Sequence, residues 1–319
     1  MRIYLTACIL ILGLSCGFSQ QVFKKQTVLM GSVFELTVVE KDSALAQQHF
    51  QQVTAEIERI ENLISEWRPG TQIFEVNRNA GIEPVKVDRE VWDLTRRALQ
   101  YSKRSDGAFD ISIAAMDKIW RFDGTLTEMP EEEAVRKSVQ RVGYQYILLD
   151  STASTIYLSR AGMKIGFGSI GKGYAADKGR ELLQSLGVQG GIVNASGDLS
   201  AWGTPPGGKA WKIGIYNPFK PRKILKVLKI REASVATSGS YEKYAEINGR
   251  RYSHIINPKT GYPSTGLTSV TVTGPAAELA NALSTSVMVM GTKEGIRLLK
   301  QFPDYRYTLI TDTGKVLKK

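Results

Sequence analysis

Between residues 43 and 67 apolar side chains recur every three or four positions, at Leu45, Phe50, Val53, Ile57, Ile60 and Ile64. That is the period of a helix with one buried face, so an amphipathic helix is predicted there. A strand-like run at 32–39 precedes it. A second helix is predicted to start behind Asp88 as its cap and to stop before Gly107. A third opens on the three glutamates 131–133 behind Pro130, where carboxylates meet the positive end of a helix dipole. From Tyr146 onward the pattern shortens. Runs at 146–149 and 155–158 flank the polar residues 151–154 and read as a hairpin, and further strands fit 191–195, 211–216, 224–230, 251–256 and 269–273. Helices are predicted at 173–186 and 275–290, the latter with proline in its first turn and Gly291 just past its end. Helices and strands are grouped rather than strictly alternating, which favours an α+β fold over a doubly wound parallel sheet.

The N-terminus changes the picture. Arg2 is followed by an apolar run at 3–14 and then by small and polar residues, the layout of a secretory signal. The expectation is a leader at 1–19, cleaved after Ser19, a domain spanning 20–319, and an exported, periplasmic protein. Cys16 behind Ser15 offers a second possibility, a lipid anchor facing the periplasm, although Gly13 stands where leucine is usual. The apolar run is well short of the roughly 20 residues that span a bilayer, and no later segment is long and apolar enough.

Cys8 and Cys16 are the two cysteines, so a chain without its leader has none. This excludes disulfides, iron–sulfur clusters and thiolate zinc sites. With only His49 and His254 as histidines, any metal would be held mostly by oxygen, as Mg2+, Ca2+ or Mn2+ are. The net charge of +11 favours anionic partners, nucleotides included. The run 220–231 has six basic residues, interleaved with Ile224, Leu225, Val227, Leu228 and Ile230. It reads as a solvated strand, and no nucleic-acid partner is expected.

Three segments point to chemistry. Residues 165–177, IGFGSIGKGYAAD, form a glycine-rich turn before a predicted helix, where backbone N–H groups can approach a phosphate. Gly166, Gly168 and Gly171 satisfy G-x-G-x-x-G, and 166–172 satisfies G-x-x-x-x-G-K. Yet Gly173 stands where a P-loop needs Ser or Thr, and Asp198 lies 27 residues past Gly171 where a Rossmann acid belongs about 20 on. A diphosphate site and a plain structural turn both stay open.

In the second segment, 234–261, Ser240-x-x-Lys243 and Lys259-Thr260-Gly261 match fragments of the β-lactamase signature, which would make Ser240 an acyl-transfer nucleophile. The fragments are too close together, and no S-D-N lies between them. His254 carries more weight, at the end of a predicted strand beside Asn257 and Pro258. His49, on the flank of the first helix, reads as structural. In the third segment, AAELANALSTS at 276–286, Asn281 and Thr285 are four apart on one helical face and suit a hard cation, with Glu278 close by.

Taken in order, these segments resemble the ApbE-type family, the FAD:protein FMN transferases, over about 30–291. Met30-Gly31-Ser32 is similar to the family's M-G-T opening. Ser65-Glu66-Trp67 through Asn77 resembles its S-x-aromatic-x-P block, and GAFD at 107–110 its G-x-F-D. The most specific blocks are IGFGSIGKGYAAD, NASGDLSAWG at 194–203, ATSGSY, HIINPKTG and ELANALSTS. The resemblance implies a mixed α/β fold with antiparallel-rich sheets around a central flavin cleft. It implies a divalent metal, Mg2+ or Mn2+, on the diphosphate of FAD. It also implies transfer of FMN to a threonine of another exported protein, of the redox-pump subunit type, with AMP leaving. By position, Met30, Trp67, Ala108, Phe109, Asp110 and Lys172 would line the flavin nucleotide. Ser169 would offer a carbonyl oxygen to the metal, Asn281 and Thr285 would complete that site, and His254 would deprotonate or orient the threonine hydroxyl. The family usually has aspartate where this chain has Gly166, Asn257 and Asn281. Asn281 keeps an amide oxygen without the charge, and Glu278 is the expected substitute. The loss of carboxylates raises two other readings, an FAD-binding protein without transfer and an FAD pyrophosphatase using water as acceptor.

Overall fold

The computed structural model describes residues 20–319 apart from 221, 222 and 242. The expected leader, with Cys8 and Cys16, lies outside the described residues. The described chain opens with a hairpin of β1 (Gln21–Leu29) and β2 (Ser32–Glu40), turned by Met30 and Gly31 at φ of 51° and 67°. α1 (Ser43–Ile64) follows, with the Asp42 carboxylate accepting the Leu45 N–H as its cap. Its apolar stripe is buried from Phe50 to Ile64. α2 (Gln72–Arg78), β3 (Val85–Lys86) and α3 (Arg89–Arg104) come next, then a 3-10 turn at Ile111–Ala115 and α4 (Glu132–Ser138). β4 (Ile147–Asp150) and β5 (Thr155–Leu158) form the predicted hairpin, with β3 as third strand.

α5 (Gly171–Ser185) leads into β6 (Gly191–Ala195) and β7 (Asp198–Trp202), and β8 (Trp211–Tyr216) pairs with β9 (Ile224–Ile230). β10 (Ala233–Gly239), the hairpin of β11 (Tyr244–Ile247) and β12 (Arg250–Ser253), β13 (Leu267–Gly274), α6 (Ala277–Leu299), β14 (Arg306–Thr311) and β15 (Val316–Lys318) complete the order. Eight strands make the main sheet in the order β1-β2-β6-β7-β10-β13-β14-β15, each neighbour antiparallel. The fold is therefore α+β with antiparallel sheets.

α1 packs on β1 and β2, α5 on β6 and β7, and α6 on β10 and β13, while α5 touches both of the other two helices. The β8–β9 hairpin contributes Trp211 and Ile230 to a second core with Leu199, Ala201 and Val235. That double cover explains why all of β7 is buried. Among the described residues no helix is long and apolar enough to cross a membrane.

Three elements depart from the sequence pattern. Asp88 sits at the start of α3 but makes no cap bond; its carboxylate accepts the Gln72 amide at 2.6 Å, tying α2 to α3. The strand predicted at 251–256 ends at Ser253, because the next residue turns both its N–H and its ring toward the Lys243 carbonyl. At Gly291 a φ of 73° ends one helical segment as predicted, but a second begins at once, so α6 reaches Leu299.

Candidate active site

The segment 165–177 has no strand directly before it, so neither the P-loop nor the Rossmann context is met. It is held instead by the Asn77 side chain, which accepts the Ile165 N–H at 2.7 Å and donates to the Ile165 carbonyl at 2.9 Å, and by Gly166 N–H bonded to the Ile111 carbonyl. Gly173 lets α5 approach α6: a Cβ there would lie 2.6 Å from the Ala277 carbonyl oxygen. One turn on, the Asp177 carboxylate accepts the Ala277 and Glu278 N–H groups, both at 2.9 Å, and so caps α6 from another helix. Ser200 and Ser234 also donate to that carboxylate. The last residue of the glycine-rich segment thereby sets where α6 begins and which way Asn281 and Thr285 face.

Two cavities result, meeting at Glu66, Gly168 and Lys172. The first, about 360 Å3, is lined by Ala108, Phe109, Asp110, Ser169, His254, Asn281 and Thr285, together with Asp198 and Ser238. The second, about 490 Å3, holds Met30, Trp67 and Phe167. Each of the ten residues that the family resemblance assigns to flavin, metal or acceptor lines one cavity or the other.

His254 Nδ1 lies 3.0 Å from the Lys243 carbonyl oxygen, which can only accept, so Nδ1 carries the proton and Nε2 keeps its lone pair. Burial holds the His254 pKa below the ordinary imidazole value, and the charges of Lys243 and Lys172 push the same way. The ring is therefore neutral and basic at physiological pH. Asp110 lines the cavity, yet its carboxylate is engaged by Ser112 N–H and hydroxyl and by Tyr144 N–H, at 2.7–2.8 Å. Its work is to hold the 105–112 loop in shape. Trp67 is 70% exposed, with Lys118 Nζ 4.6 Å from its ring centroid, and so offers the second cavity an aromatic surface.

Asn281 donates through Nδ2 to Asp198 Oδ2 at 2.9 Å, while its Oδ1 is buried with no hydrogen-bond partner among the described residues. Thr285 Oγ1 has one long contact, 3.4 Å to Ser238. An orphaned amide oxygen, a hydroxyl and a neighbouring carboxylate are the donors a hard cation takes, so the residues present fit Mg2+. No cluster of three or more His, Cys, Asp or Glu able to hold a metal occurs among the described residues, so a cation here would be held chiefly by neutral oxygens.

Several expectations need correction. Glu278 does not stand in for a lost carboxylate beside Asn281. It accepts Arg97 Nε and Nη2 at 2.8 and 2.9 Å and the Tyr101 hydroxyl at 3.0 Å, in a different cleft. Asn257 turns its amide oxygen onto the Lys259 N–H, closing its own turn. Ser240 lines a separate cavity and Lys259 is paired with Asp106, so the β-lactamase-like fragments do not converge. His49, by contrast, is structural as expected, buried against Glu40 at 3.1 Å and lining neither cavity. Sequence reasoning passed over Asp198, Ser238 and Glu66 as site residues. Asp198 and Glu66 lay inside motifs already singled out, and being charged amid small or aromatic neighbours was the only signal.

Comparison with known proteins bears on the family and the fold. The family model described as "ApbE family" matches residues 30–309. The chain belongs to the ApbE family. Among its relatives in that family, a Klebsiella pneumoniae protein named FAD:protein FMN transferase is 32% identical over 93% of this chain and 92% of its own length. A Treponema pallidum protein of the same name is 32% identical over 95% and 88%. The ApbE protein of Thermotoga maritima superposes with a TM-score of 0.85 at 28% identity, covering 94% of this chain and 97% of its own. The Pseudomonas stutzeri flavinyl transferase ApbE, in its apo form, gives 0.81 at 28% identity, covering 95% of each.

Proposed function

We propose that this protein is an FAD:protein FMN transferase that moves FMN from FAD to a threonine hydroxyl of another exported protein and releases AMP. The observation that carries this reading is a single cavity holding a neutral histidine with a free Nε2, an orphaned amide oxygen on α6 and Lys172 in the first turn of α5. Its family membership supports it.

The diphosphate of FAD would lie at the first turn of α5, where the Lys172 cation and the helix N–H groups both favour anionic oxygen. The Ser169 carbonyl, Asn281 Oδ1 and Thr285 Oγ1 would hold Mg2+, or Mn2+ in its place. When bound, that ion neutralises charge building on the diphosphate as the phosphoryl bond breaks. His254 Nε2 takes the proton of the acceptor hydroxyl as the threonine oxygen bonds to the FMN phosphorus. The bond from that phosphorus to the bridging oxygen breaks, and AMP departs with the oxygen. Met30, Trp67, Ala108 and Phe109 would enclose the flavin side, with Asp110 shaping the loop behind it. The leader-like sequence of residues 1–19 supports an exported, periplasmic location, or attachment to the membrane through Cys16.

Replacing His254 tests the reading. His254→Ala should lower acceptor labelling by roughly 100- to 10,000-fold, the usual contribution of a general base, while FAD affinity and melting temperature hold. Full labelling by a stable variant would remove His254 from the reaction.

A further inference from the structure

Glu66 is a carboxylate at the junction of the two cavities, one of three residues common to both. Its carboxylate fills the space over Gly166: a Cβ built there would lie 1.7 Å from Glu66 Oε2 and 2.4 Å from its Cδ, so any side chain at 166 would move it. The φ of Gly166 is not in the left-handed region, so a side chain there would act by displacing the Glu66 carboxylate and not by straining the backbone. Lys118 and Lys164 act on the carboxylate through space, and no hydrogen bond from the described residues satisfies it. Burial outweighs those lysines and pushes its pKa up to about 6. A partly buried acceptor without donors is what a binding site presents to a ligand that brings them.

We infer that Glu66 is a substrate-binding residue that reads the flavin half of FAD, its carboxylate accepting hydrogen bonds from ribityl hydroxyl or ring imide N–H groups, with Gly166 as the gap that admits it. The inference rests on the FAD reading above. Charge decides which half is read. A carboxylate repels the diphosphate, which belongs with Lys172 on the same junction, so Glu66 must face the neutral, donor-rich part of the molecule. Trp67, next in sequence and exposed in the second cavity, supplies the aromatic surface beside it.

Equilibrium binding of FAD and of ADP to the purified full chain, with melting temperatures on the same preparations, tests this. ADP keeps the diphosphate and adenosine and lacks the flavin. Glu66→Gln should weaken FAD about 10- to 100-fold, the range for a hydrogen bond to a charged group, and leave ADP affinity and the melting temperature within error. Gly166→Ala should give the same loss by displacing the carboxylate. In a Glu66→Ala background Gly166→Ala should have no further effect, since the group it displaces is gone. Unchanged FAD binding by Glu66→Gln, equal weakening of FAD and ADP, or tight FAD binding by Gly166→Ala would each overturn the inference. Wild-type protein that binds FAD but labels no acceptor would defeat the transferase reading and leave this comparison standing.

Discussion

Two polar clefts flank the start of α6, and they differ in how their groups are satisfied. The larger, about 910 Å3, lies between α1, α3, α5 and α6. There Arg97 grips Glu278 with two nitrogens, Tyr101 donates to the same carboxylate, and Arg59 bridges Glu56 and Glu90, which also accepts from Tyr174. Burial, and then the Glu278 charge, push the Tyr101 phenol well above its usual range. The smaller cleft holds His254 with an open Nε2, Asn281 with an orphaned oxygen and Glu66 without donors. Size and charge alone would point to the larger cleft, whose groups are already paired with one another. Saturated groups hold helices together, whereas unsatisfied groups cost stability and persist where a ligand completes them.

The sharpest way to break this contrast is to exchange the phenotypes. His254→Ala should abolish labelling without unfolding the protein, as above. Arg97→Ala should do the reverse: it strands a largely buried Glu278 carboxylate, and because Arg97 is itself part-exposed the cost is about 2–4 kcal/mol, read as a lower urea midpoint. The folded fraction should keep its FAD affinity. Loss of FAD binding by folded Arg97→Ala would erase the distinction between the clefts.

A smaller effect is expected at the cation site. Asn281→Asp adds charge to an oxygen already positioned, so the Mg2+ concentration for half-maximal transfer should fall about tenfold. An unchanged requirement would exclude Asn281 as a ligand.

The smallest effect concerns pH. Because the folded His254 pKa lies below the ordinary value near 6.5, the imidazole stays neutral on acidification until that lower pKa is reached. Transfer should hold from pH 8 to about 6.5 and fall beneath it. Glu66 titrates near 6, so the profile should be taken in Glu66→Gln as well, where the acid limb of His254 remains. A midpoint above 6.5 in both proteins would contradict a neutral base at His254.

Much of this was legible in the sequence. The strands at 191–195, 211–216 and 224–230 appear with unchanged bounds because turn residues or a charge close each of them, Ser196-Gly197, Asn217-Pro218 and Arg231. β10 was missed because ASVATSG is built of small residues that carry little apolar signal, yet most are buried beneath α6. β1 was missed because its apolar residues do not mark one face: Val22 and Val28 are exposed while Lys25 and Thr27 lie half-buried, and its pairing with β2 does the stabilising. At the site, ordered motifs brought ten residues to two adjoining cavities. Glu278 was misread because proximity to Asn281 along α6 does not say which neighbour its side chain meets, and Arg97 is 181 residues away. Glu66 was invisible as a site residue because its position depends on the space above Gly166, a tertiary property.

The most direct test is stoichiometry. The purified chain is incubated with FAD, Mg2+ and an exported acceptor protein bearing the target threonine, and covalent flavin fluorescence and AMP are measured together, with and without EDTA. The account predicts one AMP per flavin attached, and neither product with EDTA. AMP released in excess of labelled acceptor would make the protein a pyrophosphatase, and FAD bound without AMP or label would make it a carrier; either result contradicts the account.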